Sequence, residues 1–142
     1  MPVREAMTTN TQVVDPGDTV QSAAELMSAL DVGLLPVGID DRLVGMITDR
    51  DIAIRAIGKG RGPDTPIGEA MTSDVKYCFD DEDVDAACRS MGDLQVRRLP
   101  VLNRNRRLVG IIALGDVARK ADGSAGIALA QISEPGGEHT QS

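Results

Sequence analysis

The chain has 142 residues and a formal net charge of −7, with 42% hydrophobic, 26% charged and 1% aromatic residues. That apolar share can bury a core, while the acidic balance and the scarcity of aromatic stacking platforms argue against nucleic-acid binding. No apolar run reaches membrane-span length, and MPVREAMT lacks a basic region followed by an apolar stretch, so a cytoplasmic protein is expected.

The chain opens at Pro2 with a short helical turn, because proline suits a first helical position. Residues 11–14 then read as a strand. Residues 19–30 read as a helix, since Val20, Ala23, Ala24, Met27 and Leu30 recur at helical spacing and Asp18 with Gln21 is set as a capping box. Two strands follow at 34–39 and 42–47, joined by a polar turn, and a helix closes the series at 49–57. Glycines and prolines in GKGRGPDTP (residues 58–66) punctuate the chain there.

From that point the same series begins again. MPVREAMT returns as TPIGEAMT at residues 65–72, with Met7 matching Met71 at an offset of 71 − 7 = 64. Val20, Ala23, Met27 and Leu30 match Val84, Ala87, Met91 and Leu94, and Leu35-Pro36-Val37 matches Leu99-Pro100-Val101. The second copy predicts a strand at 75–79, a helix at 83–94, strands at 99–102 and 108–112, and a helix at 116–121. Its acidic run Asp80-Asp81-Glu82-Asp83 complements the dipole of the helix it precedes. The fold class is therefore α/β (α+β), a tandem β-α-β-β-α repeat. Repeat 1 spans 1–60 and repeat 2 spans 61–121; residues 122–142 form a short C-terminal helix and a flexible tail. Each repeat is too small to bury a sufficient core alone, so the two sheets are expected to pack together. Cys78, on a strand, and Cys88, on an apolar helix face, lack metal-ligand spacing and read as small buried hydrophobes.

One repeated segment carries chemistry. LVGMITDRDI at 43–52 returns as LVGIIALGDV at 108–117. Thr48 precedes a helix and Asp51 lies three residues on, which is a capping-box arrangement worth about 1 kcal/mol with no ligand involved. That explanation suits the first copy and not the second, where Ala113 cannot cap and Asp116 is retained. A carboxylate at such a junction also offers two acceptor oxygens to a pair of hydroxyls such as a ribose diol. Gly45 would let a ligand approach the strand closely.

The duplication, the LPV before the hairpin and the G-x-x-[T/A]-x-x-D after it together resemble the CBS-domain family, and two copies look like a Bateman module. The resemblance implies two clefts between repeats that pack by their sheets. Adenine nucleotides such as AMP, ADP or ATP occupy such clefts, with Thr48 and Asp51 on the ribose of one and Asp116 in the other. Ala113 departs from the family's serine or threonine and leaves the second site less well equipped. Arg97 and Arg98, just before LPV, become phosphate-contact candidates, Arg50 and Arg55 weaker ones, and Tyr77 an adenine-contact or core residue. The resemblance also implies a homodimer, with an unidentified protein effector reading the signal.

Arg104, Arg106 and Arg107 sit in the turn NRNRR and read as a solvated tip. Catalysis has little to work with: the one histidine, His139, lies in the tail, and no cluster has metal-ligand spacing. The expected function is a regulatory, non-enzymatic adenosine-binding module that requires no cofactor or metal. The alternative is a dimeric interaction or stress-response protein whose clefts bind nothing.

Overall fold

The computed structural model describes residues 1–9 and 11–118. The expected helix and tail at 122–142 lie outside the described residues. Two compact units result: one is the continuous stretch Gln12–Val75, and the other joins Met1–Thr11 to the described residues from Lys76 to Ala118.

In the continuous unit, α1 (Val20–Leu30) packs on an antiparallel hairpin of β1 (Leu34–Ile39) and β2 (Arg42–Thr48). Asp40 and Asp41 form the hairpin turn with φ of 51° and 65°. Two consecutive positive φ values match the right-handed twist of the strands, and aspartate tolerates them better than most residues. Met27, on the face of α1 at helical spacing, joins Leu35, Val37 and Ile47 in the core. Ala24 and Leu30, expected on the same face, are exposed. The helix is capped by Thr19, whose hydroxyl accepts the Ser22 N–H at 3.1 Å, and not by Asp18. Asp18 instead accepts the Asp15 N–H at 3.1 Å in the preceding turn. The strand expected at 11–14 reduces to one parallel bridge, Val14 to Val37.

After Thr48 the chain enters α2 (Asp49–Asp51), widens to π-helical turns over Ile52–Ala56 and tightens to a 3-10 turn at Ile57–Lys59. Gly60, at φ 75°, ends it in the left-handed conformation that glycine adopts without Cβ strain.

The split unit repeats this plan with β3 (Cys78–Phe79), α3 (Val84–Leu94), β4 (Arg98–Leu102), β5 (Leu108–Ala113) and α4 (Leu114–Val117). β3 runs parallel to β4, and β4 antiparallel to β5. Asp83 caps α3 by accepting the Asp85 N–H at 3.0 Å. Both cysteines are buried, and neither forms a disulfide. Burial first, and the Glu82 carboxylate second, push the Cys78 thiol up to about 12.

The compact units are offset from the sequence repeats, because the leading segments are exchanged. The N–H groups of Val3 and Arg4 donate to the carbonyls of Glu82 and Asp80 at 2.8 and 3.0 Å, beside α3. At the matching positions of the second copy, Ile67 and Gly68 donate to Asp18 and Pro16 at 2.7 and 2.9 Å, beside α1. Each leading segment thus completes the core built by the other repeat. Val3 and Ile67, both fully buried, are the side chains that anchor it. No helix among the described residues is long and apolar enough to cross a membrane.

Candidate functional site

In the continuous unit the candidate residues meet where β2 gives way to α2. Strand geometry persists through Thr48, which leaves its hydroxyl facing the first helical turn. That hydroxyl accepts the Asp51 N–H at 3.0 Å, and Asp51 Oδ2 accepts the Thr48 N–H at 3.1 Å. The capping box expected from the spacing is present in full. It uses one of roughly four lone-pair positions on the carboxylate. Arg55 Nε stands 3.8 Å from Asp51 Oδ1, and Arg55 Nη1 donates to the Met71 carbonyl at 2.9 Å. Acceptor capacity therefore remains on Asp51, whose side chain is largely buried at 14% exposure, so the cap does not preclude a ligand.

Gly45 has a different role from the one expected. A Cβ there would stand 2.6 Å from Met71 Sδ and 2.8 Å from the Thr72 carbonyl oxygen. The space beside it is filled by the leading segment of the second repeat, which bridges Met46 to Thr72 through two 2.9 Å backbone hydrogen bonds. Gly45 serves close packing of the chain on itself. Gly110 repeats the device in the split unit, where a Cβ would stand 2.6 Å from the Thr8 carbonyl oxygen and 2.9 Å from Met7 Sδ.

The junction of β5 with α4 has the same backbone and other side chains. Ala113 stands at the cap position with no side-chain hydrogen bond. The Leu114 N–H donates to the Arg97 carbonyl at 3.0 Å, and Arg98 pairs directly across from Ala113. Arg97 and Arg98 are thereby held beside the junction that carries Asp116. A hydroxyl is present after all: Thr8 Oγ1 donates to Asp116 Oδ2 at 3.3 Å. Thr8 matches Thr72 in the repeated EAMT, so the residue was visible in the sequence. Its partner lies 108 positions away, and only the exchanged leading segment joins them.

Tyr77 is not a core residue. It is 37% exposed, meets Phe79 edge to face at 5.5 Å and accepts a hydrogen bond from Arg106 Nη1 at 2.9 Å. The arginine-rich turn is likewise more than a solvated tip. Arg104 lies 4.1 Å over the Phe79 ring and grips Asp81 with Nε and Nη2, each at 2.8 Å. Those hydrogen bonds hold the exposed Asp81 carboxyl below its ordinary range. Tyr77 is thus tied to this hairpin turn. Among the described residues, no group of three or more His, Cys, Asp or Glu is arranged to hold a metal ion.

A strand-to-helix junction repeated on two small sheets defines a tandem α/β repeat module, and comparison with known proteins agrees. The CBS domain model matches residues 3–57 and 67–123, and the chain belongs to the CBS-domain family. It is 42% identical over 133 residues to the CBS domain-containing protein YhcV of Bacillus subtilis, covering 92% of this chain and 94% of that one. Hypoxic response protein 1 of Mycobacterium tuberculosis, a stand-alone pair, is 38% identical over 118 residues, 82% of each chain. Its crystal structure with two coordinated zinc ions matches with TM-score 0.76 at 37% identity, over 84% of this chain and 98% of that one. Two further structures carry adenosine compounds. CBSX2 in complex with AMP has TM-score 0.74 and 31% identity, over 84% of this chain and 94% of that one. The CBS pair of MJ0100 with 5′-methylthioadenosine and S-adenosylmethionine has TM-score 0.73 and 27% identity, with the same coverage.

Proposed function

We propose that the protein is a regulatory module that binds adenosine-containing small molecules at its two strand-to-helix junctions. Occupancy then changes its conformation or its affinity for an effector protein. The observation that carries this reading is the largely buried Asp51 carboxylate, hydrogen-bonded to Thr48 yet keeping acceptor capacity for a ribose diol. Relatives of the same fold hold AMP, methylthioadenosine and S-adenosylmethionine, all of which carry that diol. Asp116 gives the second junction the same acceptor, with Arg97 and Arg98 beside it for phosphate. Binding, not catalysis, is the role proposed, in a cytoplasmic homodimer. Leu30 and Leu94, at matching ends of α1 and α3, are 44% and 40% exposed, which supports an apolar face for pairing.

The closed capping box favours a second reading, a dimeric scaffold or stress-response protein whose junctions are purely structural. A thermal-shift series with adenosine, AMP, ADP, ATP, NAD and S-adenosylmethionine separates the two. A compound that binds only the folded state raises the melting temperature by an amount that grows with its concentration. A flat response to the whole series would leave the scaffold.

A further inference from the structure

The six methionines of the chain lie at different depths. Met27, Met46 and Met91 are buried, and Met1 is exposed. Met7 and Met71 are half-buried, each packed against the core cluster of its own unit. These two stand at matching positions of the leading segments, in the repeated EAMT.

Each is wedged against a glycine. Met71 Sδ and Cε lie 2.6 and 3.2 Å from where a Cβ on Gly45 would stand, and Met7 Sδ and Cγ lie 2.9 and 3.2 Å from the same place at Gly110. The thioether thus closes the seam between leading segment and strand. Backbone donors along that seam are already paired. Met46 and Thr72 exchange both amide hydrogen bonds at 2.9 Å, and Thr8 and Ile111 exchange theirs at 2.8 and 3.0 Å. A strong acceptor placed on either sulfur would find those N–H groups taken and would have to turn outward to water. The carbonyl oxygens of Thr72 and Thr8, which flank the same two glycines, would repel it.

We infer that Met7 and Met71 are oxidation sites, through which a peroxide-class oxidant loosens the leading segments. In the reaction the peroxide O–O bond breaks and an S–O bond forms. The sulfur is oxidised by two electrons to the sulfoxide, and the peroxide is reduced, its second oxygen leaving as water. A flexible apolar side chain becomes polar and no longer fills the place beside its glycine. Both segments adjoin the junctions: the Met71 carbonyl accepts from Arg55, and Thr8, next to Met7, donates to Asp116. A loosened segment therefore releases contacts at both junctions with no ligand involved.

Graded exposure of the full chain to hydrogen peroxide, followed by peptide mass mapping, tests the sites. Met1 should oxidise first, Met7 and Met71 next, and Met27, Met46 and Met91 only as the chain unfolds. Hydrogen exchange reads the consequence. The Thr8, Met46, Thr72 and Ile111 amides should exchange about tenfold faster or more after oxidation, with the amides paired between β1 and β2 and between β4 and β5 unchanged. Methionine sulfoxide reductase, which acts on the sulfoxide and not on oxidised cysteine, should restore slow exchange. The volume-conserving variant Met7→Leu/Met71→Leu should keep slow exchange under the same peroxide, although its Met1 is oxidised. Oxidation of Met7 and Met71 no faster than that of the three buried methionines would overturn the assignment. So would oxidised wild type that exchanges like the reduced protein, fast exchange that the reductase does not reverse, or a leucine variant that loosens equally. The reductase arm uses the wild type, so it decides even where the variant does not fold.

Discussion

Replacing Asp51 by asparagine separates a helix cap from a ligand site, because the two roles use different properties of one side chain. In the cap, Asp51 accepts the Thr48 N–H at 3.1 Å, and an amide oxygen can accept the same bond. The reciprocal bond, Asp51 N–H to Thr48 Oγ1 at 3.0 Å, is a backbone donor and survives unchanged. The Arg55 ion pair is lost, but at 3.8 Å with Arg55 about half exposed it contributes at most about 0.5 kcal/mol. A weakened cap and that pair together cost about 1 kcal/mol, or roughly 4–8 °C in melting temperature for units of this size. The ligand site loses more. An ionised acceptor becomes an amide whose NH₂ opposes a ribose hydroxyl, and a charge-assisted hydrogen bond is worth about 1.5–3 kcal/mol. Adenosine affinity should fall about ten- to a hundredfold, read by calorimetry, while differential scanning fluorimetry shows only the small thermal shift. Equal affinity in the wild type and Asp51→Asn would refute the ligand role. A melting temperature lowered by about 10 °C or more would show the carboxylate to be chiefly structural.

Ala113→Thr should restore a hydroxyl at the uncapped start of α4 and raise stability by about 1 kcal/mol in urea titration. Gly45→Ala and Gly110→Ala should each cost about 1–3 kcal/mol, because the added methyl meets a backbone carbonyl at 2.8 or 2.6 Å that cannot swing away. The same urea titration measures this. Cys78, with its thiol pushed up to about 12, should resist thiol-reactive reagents in the folded protein at neutral pH. Since its folded value is raised, the stability linked to it is full below the unfolded value and lost as pH climbs toward 12; labelling followed against alkaline pH checks the sign. Light scattering should return about twice the 15.0 kDa chain mass, and a mass of one chain at micromolar concentrations would exclude the homodimer.

Local elements were legible in the sequence because local physics decides them. The helical spacing of Val20, Ala23 and Met27, the hairpins after each LPV and the Thr48–Asp51 box all appear where the pattern put them. The failures are non-local. Residues 11–14 had strand composition but obtain only one backbone bridge, Val14 to Val37, on the edge of β1 that faces away from β2. Gly45 looked open to a ligand because nothing near it in sequence fills its side; Met71 does so from the next repeat. Thr8 could be aligned with Thr72, but its bond to Asp116 depends on the exchange of leading segments. Arg104 and Arg106 read as free charges until the fold set Asp81, Phe79 and Tyr77 against them.

An amide NMR titration of the intact protein with adenosine and then AMP tests the central claim most directly, since it reports where a ligand sits as well as whether one binds. Saturable shifts are expected at Thr48–Asp51 and at Ala113–Asp116 with adenosine, joined by shifts at Arg97 and Arg98 with AMP. No shift with either compound, or shifts confined to the Tyr77–Arg106 hairpin turn, would contradict it.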